Sequence, residues 1–132
     1  MEVTCLLSLP GIIHLEHHAR SRSIIVRWHK FKMVKEMVDK TAEEGFRLSA
    51  RSVIVVPPVG VTLPPGDAAI FEDYTPRKLQ AAGIIASITV MTTDALTNLA
   101  TKRWKNPGRL GLIEIHDATS LDEALMLAES LF

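Results

Sequence analysis

The alternation of helical and strand patterns is the feature that most restricts the folds open to this chain. Residues 31–44 place apolar side chains at i, i+3 and i+4 spacing with charged residues between them, which predicts an amphipathic helix. Residues 53–56 are a continuous run of β-branched side chains, as in a strand covered on both faces. Further strands are predicted over residues 68–71, 84–91 and 110–115. This alternation favours an α/β layer fold with right-handed crossovers and a largely parallel sheet.

The first 28 residues follow a different pattern. They predict three strands, over residues 3–8, 12–18 and 23–28, whose connections are too short for crossovers and therefore suit an antiparallel arrangement. The whole sequence predicts a single α/β domain over residues 1–132, with a mixed, mostly parallel sheet, an N-terminal antiparallel addition and about four helices. The alternative is an α+β sandwich, in which the proline-rich segment 57–67 breaks the sheet.

Capping residues set the expected ends of the helices. Ser120 and Glu123 form a capping box, and the pair Thr75-Pro76 combines an N-cap hydroxyl with a proline at the first helical position. Glycine is the usual residue after the last helical turn. Helix starts are therefore predicted at Thr75, Thr93 and Ser120, and helix ends at Gly45 and Gly83.

Charge and composition argue against several functional classes. Lys and Arg number 15 and are balanced by 15 Asp and Glu, so no net charge draws the chain to nucleic acid or to an anionic membrane. Basic residues between Arg20 and Lys35 do surround Trp28, which keeps an RNA-associated protein as a lesser alternative, although nucleic-acid binding is not expected. The sequence has neither a span of about 18 apolar residues nor a secretion signal, so we expect a cytoplasmic protein that makes no membrane contact.

Other signals are missing or point to the surface of the protein. The sequence contains no glycine-rich dinucleotide motif, no P-loop and no nucleophile elbow. Cys5, the single cysteine, lies in an apolar predicted strand and is expected to be a buried, unreactive thiol. The stiff apolar loop 57–65 and the last helix, which ends in Leu131 and Phe132, are the candidate interfaces of a homo-oligomer.

His14, Glu16 and His18 form the most specific local pattern. In a strand they share one face, because strand side chains alternate with a period of two residues. Two imidazoles and a carboxylate suit a divalent metal, although same-face neighbours about 7 Å apart share an ion only after local bending. A metal-dependent enzyme is therefore one alternative function, with His116 or Asp117 as the catalytic proton-transfer group. The other interpretation is a half-exposed edge strand with a polar face.

Asp73, Thr75, Arg77, Lys78 and Thr93 are the candidate ligand-binding residues. In open α/β sheets, ligands bind beyond the carboxyl ends of parallel strands, where the free N–H groups of helix N-termini suit an anion. Each residue taken alone also has a structural explanation, as a helix cap or a turn residue. The sequence favours a small ligand-binding or regulatory module that holds an anionic metabolite at this edge of the sheet.

Overall fold

The structure, a computed structural model, describes residues 2–58, 64–91 and 113–131. Within these ranges six strands form one sheet, in which the order in space is the order in the chain. The first three strands pair antiparallel, and the third to sixth pair parallel. The strands are β1 (Thr4–Leu9), β2 (Ile13–His18), β3 (Ser23–Trp28), β4 (Ser52–Val56), β5 (Ala86–Val90) and β6 (Glu114–Ala118). The predicted α/β fold with an N-terminal antiparallel addition is confirmed.

Four α-helices and one π-helical turn accompany the sheet in the described ranges. They are α1 (Val34–Leu48), α2 (Pro65–Ala69), the π-helix (Ile70–Tyr74), α3 (Thr75–Ala81) and α4 (Leu121–Leu131). In α4 the Ser120 Oγ accepts a hydrogen bond from the Glu123 backbone N–H at 3.1 Å, so the predicted N-cap is confirmed. No helix of the described ranges is both long enough and apolar enough to span a membrane.

The first predicted helix end is wrong. Gly45 lies inside α1, and the left-handed residue after this helix is Ser49, with a φ of 56°. A Cβ on Gly45 would lie only 2.8 Å from Ile84 Cδ1. The glycine therefore permits close packing of α1 on the residue that leads into β5, instead of capping the helix.

The prediction of a strand over residues 68–71 is also wrong. α2, the π-helix and α3 form one unbroken helical run that begins at Pro65. The helical backbone therefore continues through Thr75, which does not act as an N-cap. The Thr75 hydroxyl donates a hydrogen bond to the Ile70 carbonyl at 3.1 Å within the run. A short apolar segment does not distinguish a strand from a buried helix by its pattern, and here the packing of Phe71 into the core favours the helix.

Each face of the sheet carries its own apolar layer. The α1 face packs Ile24, Val26 and Val53 against α1, the π-helix and α3. The α4 face packs Ile25, Ile54 and Ile88 against α4. α4 contacts β4, β5 and β6, so it covers only one half of its face. Successive residues of β3 and β4 are buried because both faces of these strands are covered, which explains why the two strands read as continuous apolar runs.

Candidate functional site

A small cavity lies between the α1 face and the helices that cover it. Its volume is about 50 Å³. The sheet contributes side chains of β3 to β6, among them Trp28, Val55 and Thr89, and the helices contribute Val38 from α1 and Leu79 from α3. Water-sized groups each occupy roughly 10–15 Å³ of such a volume, so the cavity has room for about four of them.

A cluster of three aromatic rings lies beside this cavity, and two of the rings line it. Trp28 and Phe71 both line it, with ring centroids 6.0 Å apart in an edge-on arrangement. Phe31 completes the cluster at 5.4 Å from Trp28 and 5.7 Å from Phe71. Trp28 is only 4% exposed. Its ring is therefore committed to the core, and the basic residues near it in sequence do not have this ring available to stack on a base.

The described lining of the cavity contains hydroxyls and no ionisable side chain. Two of these hydroxyls are held by their own helices, since Thr41 donates to the Met37 carbonyl at 2.8 Å and Thr75 to the Ile70 carbonyl. A site of this composition excludes water and holds apolar groups. It offers no proton-transfer group among its described lining residues.

The predicted ligand-binding residues lie mainly on the helical run beside this cavity. Thr75 lines the cavity, while Asp73, Arg77 and Lys78 are on the outer side of the run or at its margin. Lys78 Nζ lies 3.8 Å from Asp39 Oδ1 of α1. Thr93 lies outside the described residues. The helix-start argument for Thr75 is wrong, and the assignment of these side chains to a ligand remains a prediction.

Sequence reasoning missed a polar contact between α1 and the π-helix. The Tyr74 hydroxyl donates a hydrogen bond to Asp39 Oδ1, and Lys35 Nζ lies 5.0 Å from the centre of the Tyr74 ring. The hydrogen bond to the Asp39 carboxylate, with a smaller effect of burial, raises the pKa of Tyr74 above its usual value. The available signal was spacing, since Lys35 and Asp39 are four residues apart on one helix, as are Tyr74 and Lys78 on the other.

The structure does not bring His116 and Asp117 together. Both were expected just after the last strand, but they lie within β6, where His116 pairs with Ile88 and Asp117 with Thr89. Neighbouring strand residues point to opposite faces, so these two side chains lie on different faces of the sheet, and a catalytic role for either one remains a prediction. His116 Nε2 is buried with no hydrogen-bond partner among the described residues, 3.7 Å from Glu114 Oε1.

His14, Glu16 and His18 do lie on one face of β2, as expected, but not as a ligand set. Glu16 Oε1 accepts a hydrogen bond from Arg27 Nε at 2.7 Å, and His14 Nε2 is 3.6 Å from the other carboxylate oxygen. His18 Nδ1 is instead 2.7 Å from Ser21 Oγ. In the part of the chain that the structure describes, no three His, Cys, Asp or Glu side chains are arranged to hold a metal ion. The metal hypothesis therefore gains no support from this geometry.

Cys5 is exposed, contrary to the prediction. It lies on the edge strand β1 and pairs with Glu16, on the half of the sheet that α4 does not cover.

Of the two predicted oligomer interfaces, α4 buries Ala124 and Ala128 against the sheet and leaves Met126 exposed. Residues 59–63 of the loop lie outside the described ranges. The homo-oligomer remains a prediction.

Comparison with known proteins found no relative of this chain. No protein-family model, no curated protein and no solved structure matches the chain.

Proposed function

We propose that this protein is a ligand-binding or regulatory module for a small amphipathic anion. The apolar end of the ligand occupies the cavity on the α1 face, and its anionic group lies at Arg77 and Lys78. The observation that carries this proposal is the composition of the cavity, whose described lining is apolar apart from hydroxyls.

The cavity selects a short alkyl group. Its volume of about 50 Å³ corresponds to about four heavy atoms of ligand. Transfer of each methylene from water to such an apolar site contributes roughly 0.8 kcal/mol. A four-carbon chain therefore supplies about 3 kcal/mol, which accounts for a weak ligand and for a clear preference over acetate.

Two cations that follow the lining residues Thr75 and Pro76 in the chain select the anionic group. Thr75 and Pro76 line the cavity, and Arg77 and Lys78 follow them directly on α3 with exposed side chains. The Lys78–Asp39 pair spans 3.8 Å between two half-exposed side chains, so it contributes little to stability and leaves the amine able to turn towards a ligand.

Thermal unfolding of the intact chain in the presence of pentanoate, 1-pentanol or acetate tests both the binding of the apolar end in the cavity and the binding of the anionic group at Arg77 and Lys78. We expect pentanoate to raise the melting temperature of the wild type more than 1-pentanol does, and acetate to have little effect. In the Arg77→Ala/Lys78→Ala variant the advantage of pentanoate over 1-pentanol should disappear, because the anionic group has lost its partners.

A matched control variant removes two positive charges from another part of the surface. Lys30→Ala/Lys32→Ala changes two exposed lysines beyond β3, where the Lys30 N–H bonds the Ile12 carbonyl on the β2 side of the sheet. This variant should respond to pentanoate as the wild type does. Equal responses of the wild type to pentanoate and acetate would overturn the apolar part of the proposal. An unchanged response of the Arg77/Lys78 variant would remove these two residues from it.

A further inference from the structure

The hydroxyls that line the cavity on the α1 face are of two kinds. On the helical side, Thr41 and Thr75 donate to carbonyl groups of their own helices. On the sheet side, Ser87 and Thr89 of β5 line the cavity, and neither hydroxyl has a hydrogen-bond partner among the described residues. The sheet side therefore offers free hydroxyl donors to a ligand, whereas the donors of the helical side are already used.

Strand geometry places the two free hydroxyls along one line. Ser87 and Thr89 are separated by one residue of β5, so their side chains point to the same face of the sheet. Ser87 pairs with Val53 and Thr89 with Val55, and both valines line the cavity from β4. The apolar sheet side of the cavity therefore contains a polar row along β5.

The Thr89 hydroxyl is buried and yet accessible from the cavity. Thr89 as a whole is only 1% exposed. In the part of the chain that the structure describes, His116 Nε2 is the one side-chain nitrogen or oxygen atom that is both fully enclosed and unpaired. Thr89 Oγ1 is unpaired but not fully enclosed, so the small accessible surface of Thr89 includes this oxygen. Because Thr89 lines the cavity, its hydroxyl is available to a group bound there.

An unpaired hydroxyl in an apolar cavity favours a ligand that brings its own hydrogen-bonding group. A hydroxyl can donate one hydrogen bond, and a carbonyl oxygen can accept it. A buried polar group without a partner is unfavourable, so a hydrogen bond supplied by the ligand contributes more to affinity here than at an exposed position. A purely alkyl chain leaves the Thr89 hydroxyl unpaired.

We propose that the ligand of this cavity is a short-chain oxo acid, whose chain carbonyl accepts a hydrogen bond from Thr89 Oγ1. This ligand class rests on the proposed function, since the carboxylate still lies at Arg77 and Lys78 and the chain still enters the cavity. In 4-oxopentanoate, the last three carbons and the oxo oxygen match the roughly four heavy atoms for which a volume of about 50 Å³ has room. Thr89 is then a specificity-determining residue.

Two acids of similar shape test the role of Thr89 in the intact chain. 4-Methylpentanoate carries a methyl group where 4-oxopentanoate carries the carbonyl oxygen. NMR titrations give the dissociation constants of both acids for the wild type and for Thr89→Val, in which a methyl group replaces the hydroxyl. In the variant, the affinity for 4-oxopentanoate relative to that for 4-methylpentanoate should fall roughly tenfold. The different hydration of the two acids cancels when this ratio is compared between proteins.

Thr41→Val is the matched control, because the Thr41 hydroxyl also lines the cavity but already donates to the Met37 carbonyl. This variant should keep the wild-type ratio of affinities. Without ligand, Thr89→Val should raise the melting temperature by roughly a few degrees, since a methyl group replaces an unpaired buried hydroxyl. This second measurement depends on Thr89 alone and not on any ligand.

The outcomes separate this inference from the proposed function. Arg77→Ala/Lys78→Ala should weaken the binding of both acids alike, since both carry the carboxylate. If both acids bind and the ratio is the same in the wild type and Thr89→Val, the oxo-acid inference is overturned and the proposed function stands. A Thr89→Val melting temperature well below that of the wild type would also overturn it, because the hydroxyl would then be bonded within the protein. Failure of both acids to bind would overturn the proposed function as well.

Discussion

The hydroxyl of Tyr74 donates a hydrogen bond to the Asp39 carboxylate, and this bond joins the π-helix to α1. The same helical run carries Phe71 and Thr75, which line the cavity on the α1 face. Lys35 of α1 lies over the Tyr74 ring and adds a cation–π contact to this connection. These contacts between α1 and the π-helix therefore fix the position of the helical run that lines the cavity.

The Tyr74–Asp39 bond should be visible in the titration of the phenol. Tyr74 is the only tyrosine of the chain, so the near-ultraviolet absorbance change on phenolate formation reports this residue alone. Asp39 accepts a hydrogen bond from the neutral phenol and opposes the phenolate, so the midpoint should lie above 10.0. Asp39→Asn removes the negative charge and should bring the midpoint back towards 10.0. A midpoint that is the same in both proteins would contradict the contact.

His17 should make the protein less stable in mild acid. Burial, followed by the nearby His18 and Arg47, lowers the pKa of His17 below 6.5. Near pH 6 the unfolded chain therefore binds more protons at this residue than the folded chain, so the free energy of unfolding falls as the pH drops through 6.5.

Urea unfolding of the wild type and His17→Gln from pH 8 to pH 5 measures this dependence. The variant should lose stability less steeply below about pH 6.5, because the proton uptake of this side chain on unfolding is gone. The same substitution at His29, which is exposed, is the matched control. Parallel curves for wild type and His17→Gln would show that His17 does not contribute.

Gly45 should tolerate alanine only when Ile84 is shortened. A Cβ on Gly45 meets Ile84 Cδ1 at 2.8 Å, and Ile84 is fully buried. Overpacking of this kind costs roughly 1–3 kcal/mol, while alanine improves the helix by about 1 kcal/mol, so Gly45→Ala should destabilise the protein by about 1 kcal/mol. Ile84→Val removes Cδ1, and in that background Gly45→Ala should stabilise by several tenths of a kcal/mol. A destabilisation of equal size in both backgrounds would contradict the close contact.

The alternation of elements could be predicted from sequence because it depends on local pattern. Residues 23–28 were predicted as a strand with the bounds that β3 has, and 52–56 form β4 where the β-branched run lies. The helical run from Pro65 could not be predicted, because its short apolar segment fits a strand equally well and only the packing of Phe71 on Trp28 separates the two.

The candidate sites could not be predicted fully, because they depend on strand bounds and strand register that the sequence alone does not determine. β6 begins at Glu114, opposite Ala86, so His116 and Asp117 lie inside the strand and point to different faces of the sheet. By contrast, the shared face of His14, Glu16 and His18 was predictable, since it follows from strand periodicity alone.

Nuclear Overhauser effects between the hydrogens of bound pentanoate and those of the protein test the cavity assignment most directly. The account predicts contacts from the terminal methyl group of pentanoate to the Trp28 indole ring and to the Leu79 methyl groups, which line the cavity from opposite sides. It also predicts that these contacts weaken in Arg77→Ala/Lys78→Ala, because less ligand is bound. An absence of contacts to Trp28 and Leu79 while pentanoate still stabilises the protein would contradict the proposed function.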